Sequence, residues 1–378
     1  MHLSVLVLCL VTITSHRVDG SHTKVNEDLE VERQLKLINK SPIKSIHTKF
    51  GYIVDCVDIN KQPAFDHPFL KNHKLQRRPN FYIKKDKTSV KNSTTNPTFG
   101  FDEVECPTGT VPIRRTTKDD LIRAEFLRND NILVATKAHH ADVSLKVPGE
   151  RYYAVKGTTS IYNPKISIAQ ASSSHIYIQS GDGTNNIIVG WHVFPHIYGD
   201  DKTHLFVAWT SDNFKKTGCY NVQCRGFVQI ESHYHVGGVI PNISAYGGPV
   251  FDMPIEIFLE NNRWWVAINN YSVGYFPATL FTNLKGADEV GWGGSTIAIG
   301  VPNPPMASGY FPDGNLYHAG YFINIGYRNA PRSAYIGPAK FSIHENSDAP
   351  NCYRVKYYEH SRFGHALEFG GPGGNCNV

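Results

Sequence analysis

The run His175-Ile176-Tyr177-Ile178-Gln179-Ser180-Gly181-Asp182-Gly183 alternates apolar and polar side chains over five residues and then breaks on a Gly-Asp-Gly turn signal. That is the pattern of a half-buried strand followed by a reversal. Similar short runs recur at 165–169 (KISIA), 205–209 (LFVAW), 227–230 (FVQI), 264–268 (WWVAI) and 295–299 (STIAI). Gly199-Asp200-Asp201, Gly247-Gly248-Pro249 and Asn261-Asn262 punctuate them. Closely spaced strands with no helical period between them predict an all-β main domain, an antiparallel sandwich or barrel. Neither a helical stretch of ten residues nor a fixed-period repeat is visible after His140.

Composition sets the outer limits. The chain has 378 residues, 38 Lys+Arg against 33 Asp+Glu, 19% charged and 12% aromatic residues. Such a balance excludes a disordered protein, a coiled coil and a basic nucleic-acid arm. No nucleic-acid partner is expected, and the run Lys84-Lys85-Asp86-Lys87 reads as a solvated loop. Charge divides the chain: 21 basic and 15 acidic residues lie between Ser21 and His140, 16 and 17 after it. The first part is a smaller, mixed α/β segment, with a helix expected over about Glu27 to Asn39 and a flexible polar loop from Lys84 to Thr98.

Leu3 to Ile13 is an apolar stretch of 11 residues, too short to cross a bilayer that needs about 20. It reads as a secretory signal with a cut after Gly20, so the expected address is secreted or extracellular, with the cell wall or the vacuole as alternatives, and no membrane anchor. Cys9 would leave with the signal; Cys56, Cys106, Cys219, Cys224, Cys352 and Cys376 remain, an even number that fits an oxidising route and allows 15 pairings. Asn39, Asn92, Asn242 and Asn270 each open a glycosylation sequon.

Candidate chemistry is sparse. His233-Tyr234-His235 offers two imidazoles on one strand face without an acidic or thiol partner, so no metal is expected. His139-His140 falls near the junction of the two parts, where acid would charge it. The tryptophans Trp191, Trp209, Trp264, Trp265 and Trp292 are expected in the core and along a cleft. There is no Gly-x-Ser-x-Gly elbow, no His-Glu-x-x-His helix and no dinucleotide loop.

Longer motifs carry a family resemblance. Ile53 to Lys74 (IVDCVDINKQPAFDHPFLKNHK) and Cys106 to Arg115 (CPTGTVPIRR) resemble the activation peptide of neprosin and its plant relatives, secreted proteins of the glutamic-peptidase type. Gly190 to Pro195 (GWHVFP), Cys224 to Gln229 (CRGFVQ), Val273 to Pro277 (VGYFP), Trp292-Gly293-Gly294, Met306 to Pro312 (MASGYFP) and Gly370 to Gly373 follow in the family's order. The resemblance implies a signal at 1–20, an activation peptide at 21–137 and a peptidase-like domain at 138–378. That domain would be an antiparallel β-sandwich of two curved sheets with a concave cleft. The disulfides would be Cys56–Cys106, Cys219–Cys224 and Cys352–Cys376. Active relatives cut at proline in acid with two glutamates and no cofactor. Trp191, Trp209, Trp264, Trp292, Tyr275 and Tyr310 would line the cleft, and the partners would be the chain's own propeptide and an extended peptide, proline-rich protein or glycan.

The family's glutamate positions fall on Ile188 and Ser295. Neither side chain titrates in acid as a carboxyl does, so the two-carboxyl mechanism is expected to be lost, with a displaced carboxylate such as Glu289 as the alternative, or a structural or storage role. The motif Met306 to Pro312 also departs from the family, at Ala307 and Tyr310.

Overall fold

The computed structural model describes residues 20–80, 104–127, 136–222, 225–269 and 271–376. The signal segment, the Lys84–Thr98 loop, Asn92, Asn270 and the Cys219–Cys224 bridge lie outside the described residues or side chains.

The N-terminal module begins with helix α1 (Gly20–Ile38), longer than the expected helix, and a three-stranded antiparallel sheet of β1 (Lys44–His47), β2 (Ile53–Asp58) and β3 (Thr110–Arg114). Cys56 in β2 is bonded to Cys106. Helix α2 (Lys118–Leu127) follows. Then come β4 (Thr136–Leu145), β5 (Ala154–Ser160), β6 (Gln170–Gln179), β7 (Asn186–Val193), the short helix α3 (Pro195–Tyr198), β8 (Thr203–Thr210), β9 (Cys219–Tyr220) and β10 (Val228–Gln229). The chain continues through β11 (Asp252–Glu260), β12 (Arg263–Ile268), β13 (Tyr271–Pro277), β14 (Glu289–Ile299), β15 (Gly320–Arg328), β16 (Ile343–Ser347), β17 (Arg354–His360) and β18 (Gly364–Gly370).

These strands form two antiparallel sheets, ordered β10-β13-β12-β11-β5-β15-β18-β17 and β16-β4-β14-β6-β7-β8-β9. The sandwich expected from the alternation is present. Asn261 and Asn262 take φ of 50° and 56°, the left-handed geometry of a tight hairpin between β11 and β12. One expected strand is absent: Lys165 to Ala169 runs as a connection into a turn, with the Gln170 amide donating to Ser167 O at 3.1 Å. Its alternation is real, but β14 reaches it just at its end, where the Ile299 amide donates to Ala169 O at 2.9 Å.

The core lies between the sheets. Ile187, Val189 and Trp191 of β7, Ile176 and Ile178 of β6, and Val290 and Trp292 of β14 face Met253, Ile255, Ile257, Trp264 and Phe322 from the opposite sheet. Two indoles stitch the layers: Trp191 Nε1 donates to Ser160 O and Trp292 Nε1 to Lys156 O, both at 2.8 Å and both on β5. Burying such large rings is affordable because each polar tip finds an acceptor. Trp209 joins the same core, and Trp264 donates to Leu284 O at 3.0 Å. The expectation that Trp191, Trp209, Trp264 and Trp292 line a cleft is therefore corrected. Their strand parity is that of the buried Ile and Val positions, so they point inward.

The N-terminal module is welded to the sandwich. Val57, Ile59, Leu70, Val111 and Ile113 belong to the main core, while Ala64, Phe65 and Leu75 pack on Trp265 and Tyr275 at the outer face of the eight-stranded sheet. Tyr275 thus lies beneath this module, its hydroxyl 2.9 Å from His73 Nε2, and not in a cleft. Gln62 is buried; its amide donates to Gln229 O at 3.0 Å and its oxygen accepts from Gln229 N at 2.8 Å, in the manner of an added strand. Arg114 lies over the rings of both Tyr52 and Tyr198. Cys352 and Cys376 are bonded near the C-terminus.

Candidate functional site

The alternate residues of the seven-stranded sheet face outward and form the candidate site. Register sets its rows: Asp142 of β4, Gly293 of β14, His175 of β6 and Gly190 of β7 lie side by side, as do Ser144, Gly291, Tyr177 and Ile188, and His140, Ser295, Ser173 and His192. Ile188 and Ser295 both belong to this face. They are two strands and four residues apart, roughly 16 Å on a flat sheet, so only curvature brings side chains at these positions together.

Glycines clear the floor for its larger neighbours. A Cβ at Gly291 would sit 2.3 Å from Tyr177 Cζ, and one at Gly293 would sit 2.4 Å from Ala141 O and 2.6 Å from Asp142 Cβ. The Tyr177 ring therefore lies flat across β14, and its hydroxyl donates to Glu289 Oε1 at 3.3 Å. Lys146 Nζ is 3.4 Å from the other Glu289 oxygen. Asp142 is buried and accepts from Asn346 Nδ2 at 2.9 Å. Burial raises its pKa above the usual carboxylate range, outweighing the Asn346 hydrogen bond, with the Glu289 and Asp348 charges adding to the rise. Tyr177 is pushed well up by burial and then by the Asp142 and Glu289 charges. Two carboxyls thus share a tyrosine on one face, one of them leaning toward its neutral form.

Around Ser295 there is a hydroxyl chain. Ser295 Oγ is 2.9 Å from Ser173 Oγ, which is 3.2 Å from His175 Nδ1. Burial, then the charge of His140, lowers the His175 pKa to about 4, so its ring is neutral above that pH. One end of the face is closed by α3: the Tyr198 ring stacks on His204 at 3.6 Å and its hydroxyl is 2.7 Å from His192 Nε2.

Other expected sites resolve differently. His139 and His140 are not a junction loop; they sit inside β4, with His139 Nδ1 3.1 Å from Asp348 Oδ2 and the His140 amide donating to Asp348 Oδ1. His233 is exposed beside Glu231, whereas His235 is buried and lies outside any strand, so the two imidazoles diverge. Tyr310 is an exposed loop residue whose ring lies tilted against Tyr246. Asn39, in a sequon, exchanges two hydrogen bonds with the Thr116 backbone, which occupies its amide. Ala307 stands at φ 53°, in the left-handed region that favours glycine. The sequence reading missed Asp142, Tyr177, Ser173 and His175.

A profile described as neprosin matches residues 169–372, more than half of the chain, and one described as the neprosin activation peptide matches 45–155. The chain belongs to the neprosin family. The activation-peptide match runs through β4 into β5, so it crosses from the N-terminal module into the sandwich. Solved structures similar to this chain include scytalido-glutamic peptidase with a transition-state-analog inhibitor, at 8% identity over 62% of this chain and 98% of that one, with a TM-score of 0.35. SCP-B, a member of the eqolisin family of peptidases bound to the tripeptide Ala-Ile-His, is similar at 9% identity, 62% and 98% coverage and a TM-score of 0.34. The homodimeric agglutinin CG-16 from chicken liver is similar at 10% identity, 41% and 92% coverage and a TM-score of 0.24. This neprosin-family chain is a peptidase-related β-sandwich with its own activation-peptide module.

Proposed function

We propose that this protein is a secreted, non-catalytic member of the neprosin family that binds extended peptide, as in proline-rich proteins, along the outer face of its seven-stranded sheet. The observation that carries this reading is the occupancy of the two family glutamate positions: Ile188 supplies no proton and Ser295 hydrogen-bonds Ser173 in place of a carboxyl. Peptide-bond hydrolysis in acid needs one group to take a proton from water and another to give one to the carbonyl oxygen. Losing such a group costs about 10²- to 10⁴-fold. Hydroxyls and a neutral imidazole remain good partners for peptide N–H and C=O groups, so recognition survives where turnover does not. The two disulfides and the signal-like N-terminus support a secretory route, with 1–20 as signal and 21–137 as activation peptide.

A second reading has its own support. Asp142, whose pKa burial raises, and Glu289, whose charge adds to that rise and which accepts from Tyr177, put two carboxyls on this face, the residue type acid proteolysis requires. Incubation at about pH 3 with a proline-containing peptide, read by mass spectrometry, separates the two. No fragments are expected from the native chain. Clean cleavage that Glu289→Gln and Asp142→Asn each abolish would replace the first reading with the second. Retention of the intact peptide at pH 5 tests binding, and its absence, together with no cleavage, would leave a structural or storage role.

A further inference from the structure

On the opposite side of the molecule, the outer face of the eight-stranded sheet holds a cavity of about 190 Å³, walled by Val250, Leu316, Tyr317, Tyr321, Ile323 and Phe363. It is remote from the face bearing Ile188 and Ser295, since the whole core lies between the two sheets. Three polar residues converge on it: Asp252 at the start of β11, Asn315 and His360. Among the described residues one protein donor reaches the Asp252 carboxyl, the Tyr321 hydroxyl at 3.2 Å from Oδ2. Two backbone amides donate to His360 Nδ1, at 3.0 and 3.2 Å, so its remaining ring nitrogen carries the proton and is a donor.

The rim is aromatic and exposed. Tyr317 is 48% exposed; the next residue, His318, stacks on Tyr246 at 4.6 Å, and Tyr310 lies tilted against Tyr246 at 3.9 Å. The loop carrying them is held in place, with the Gly247 amide donating to Tyr317 O at 2.9 Å, the Gly314 amide to Glu368 at 2.9 Å and His318 Nδ1 2.7 Å from Asp313. A purely apolar cavity of about 150 Å³ admits a benzene ring and stays dry; this one is larger and has an acceptor and donors on its wall, so it suits a six-membered ring bearing hydroxyls.

We propose that this cavity is a carbohydrate-binding site for one hexopyranose unit of a neutral glycan. Asp252 accepts hydroxyl protons, His360 donates, Tyr317 covers one ring face, and the Tyr246–Tyr310 pair supports the neighbouring sugar. A cationic ligand fits less well. The Arg362 guanidinium already lies 5.1 Å over the Phe363 ring, placing positive charge at the wall, and burial raises the Asp252 pKa, so that in mild acid the group leans toward a neutral form that still bonds hydroxyls but no longer attracts a cation. The proposal is independent of whether the opposite face binds or cuts peptide.

The test uses the full chain on an array of neutral mono- and oligosaccharides, followed by titration calorimetry with the best hit and with acetyl-arginine amide. Retention of at least one hexose-containing glycan is expected. Asp252→Asn and Tyr317→Ala should each weaken it about 10- to 100-fold, while the double variant Ile188→Glu, Ser295→Glu leaves it unchanged. An unaltered thermal midpoint for Asp252→Asn shows that the fold is kept. An empty array, binding untouched by both cavity variants, or preference for the arginine compound would each overturn the proposal.

Discussion

Replacing His235 by Phe tests how acid acts on the junction between the activation-peptide module and the sandwich. His235 is fully buried, with neither ring nitrogen bonded; its ring meets Tyr52 of the module edge-on at 5.9 Å. Burial, then the charges of Arg114 and His204, lowers its pKa to about 3 from an ordinary value near 6.5. A histidine with a depressed folded pKa contributes stability that is intact above the unfolded pKa and is lost as pH falls toward the folded one. Each pH unit inside that window is worth about 1.4 kcal/mol, so moving from pH 7 to pH 4 removes about 3 kcal/mol through this group alone. Phenylalanine keeps the edge-on contact and cannot be charged. Urea unfolding followed by tryptophan fluorescence, at pH 7 and pH 4, should show the variant losing about 3 kcal/mol less than the native chain. The neighbouring His192 and His204 titrate in both proteins and cancel in the difference. Equal losses in the two proteins would show that His235 is solvated in acid and would refute the reasoning.

Ile188→Glu with Ser295→Glu should create acid cleavage of a proline peptide, seen as new fragments at pH 3; a folded but inert double variant would mean that the curvature leaves the two positions too far apart. Trp292→Phe removes the indole donor to Lys156 O and should cost about 1 kcal/mol, measurable by denaturant titration. Cys56→Ser opens a link spanning 50 residues and should cost about 4 kcal/mol in the chain-entropy picture, read as a lower thermal midpoint under non-reducing conditions. Gln62→Ala breaks both exchanges with Gln229 and should hasten limited proteolysis within residues 44–80 and lower the thermal midpoint.

The sandwich was legible because alternation reports half-buried strands wherever it occurs, and most of the quoted runs fall inside β6, β8, β12 and β14. Residues 165–169 show the limit: alternation prepares a strand, but pairing makes one. Orientation of the tryptophans was also readable in part, since Trp191 shares its parity with Ile187 and Val189, although the glycines around Trp292 hide that cue. The site was harder. Tyr177 meets Glu289 across 112 residues and Ser173 meets Ser295 across 122, so only strand register, which no local pattern specifies, brings them together.

Val57, Ile59, Leu70, Val111 and Ile113 are almost wholly screened from water in the core they share with the sandwich. At about 2 kcal/mol for each such side chain, their withdrawal would forfeit on the order of 10 kcal/mol, comparable to the net stability of an ordinary domain. Excision of the leading segment is therefore closer to removing a keystone than to lifting a cover. A trimmed protein must either reseat its Trp209–Phe227–Phe276 end or clump through the oily scar left behind.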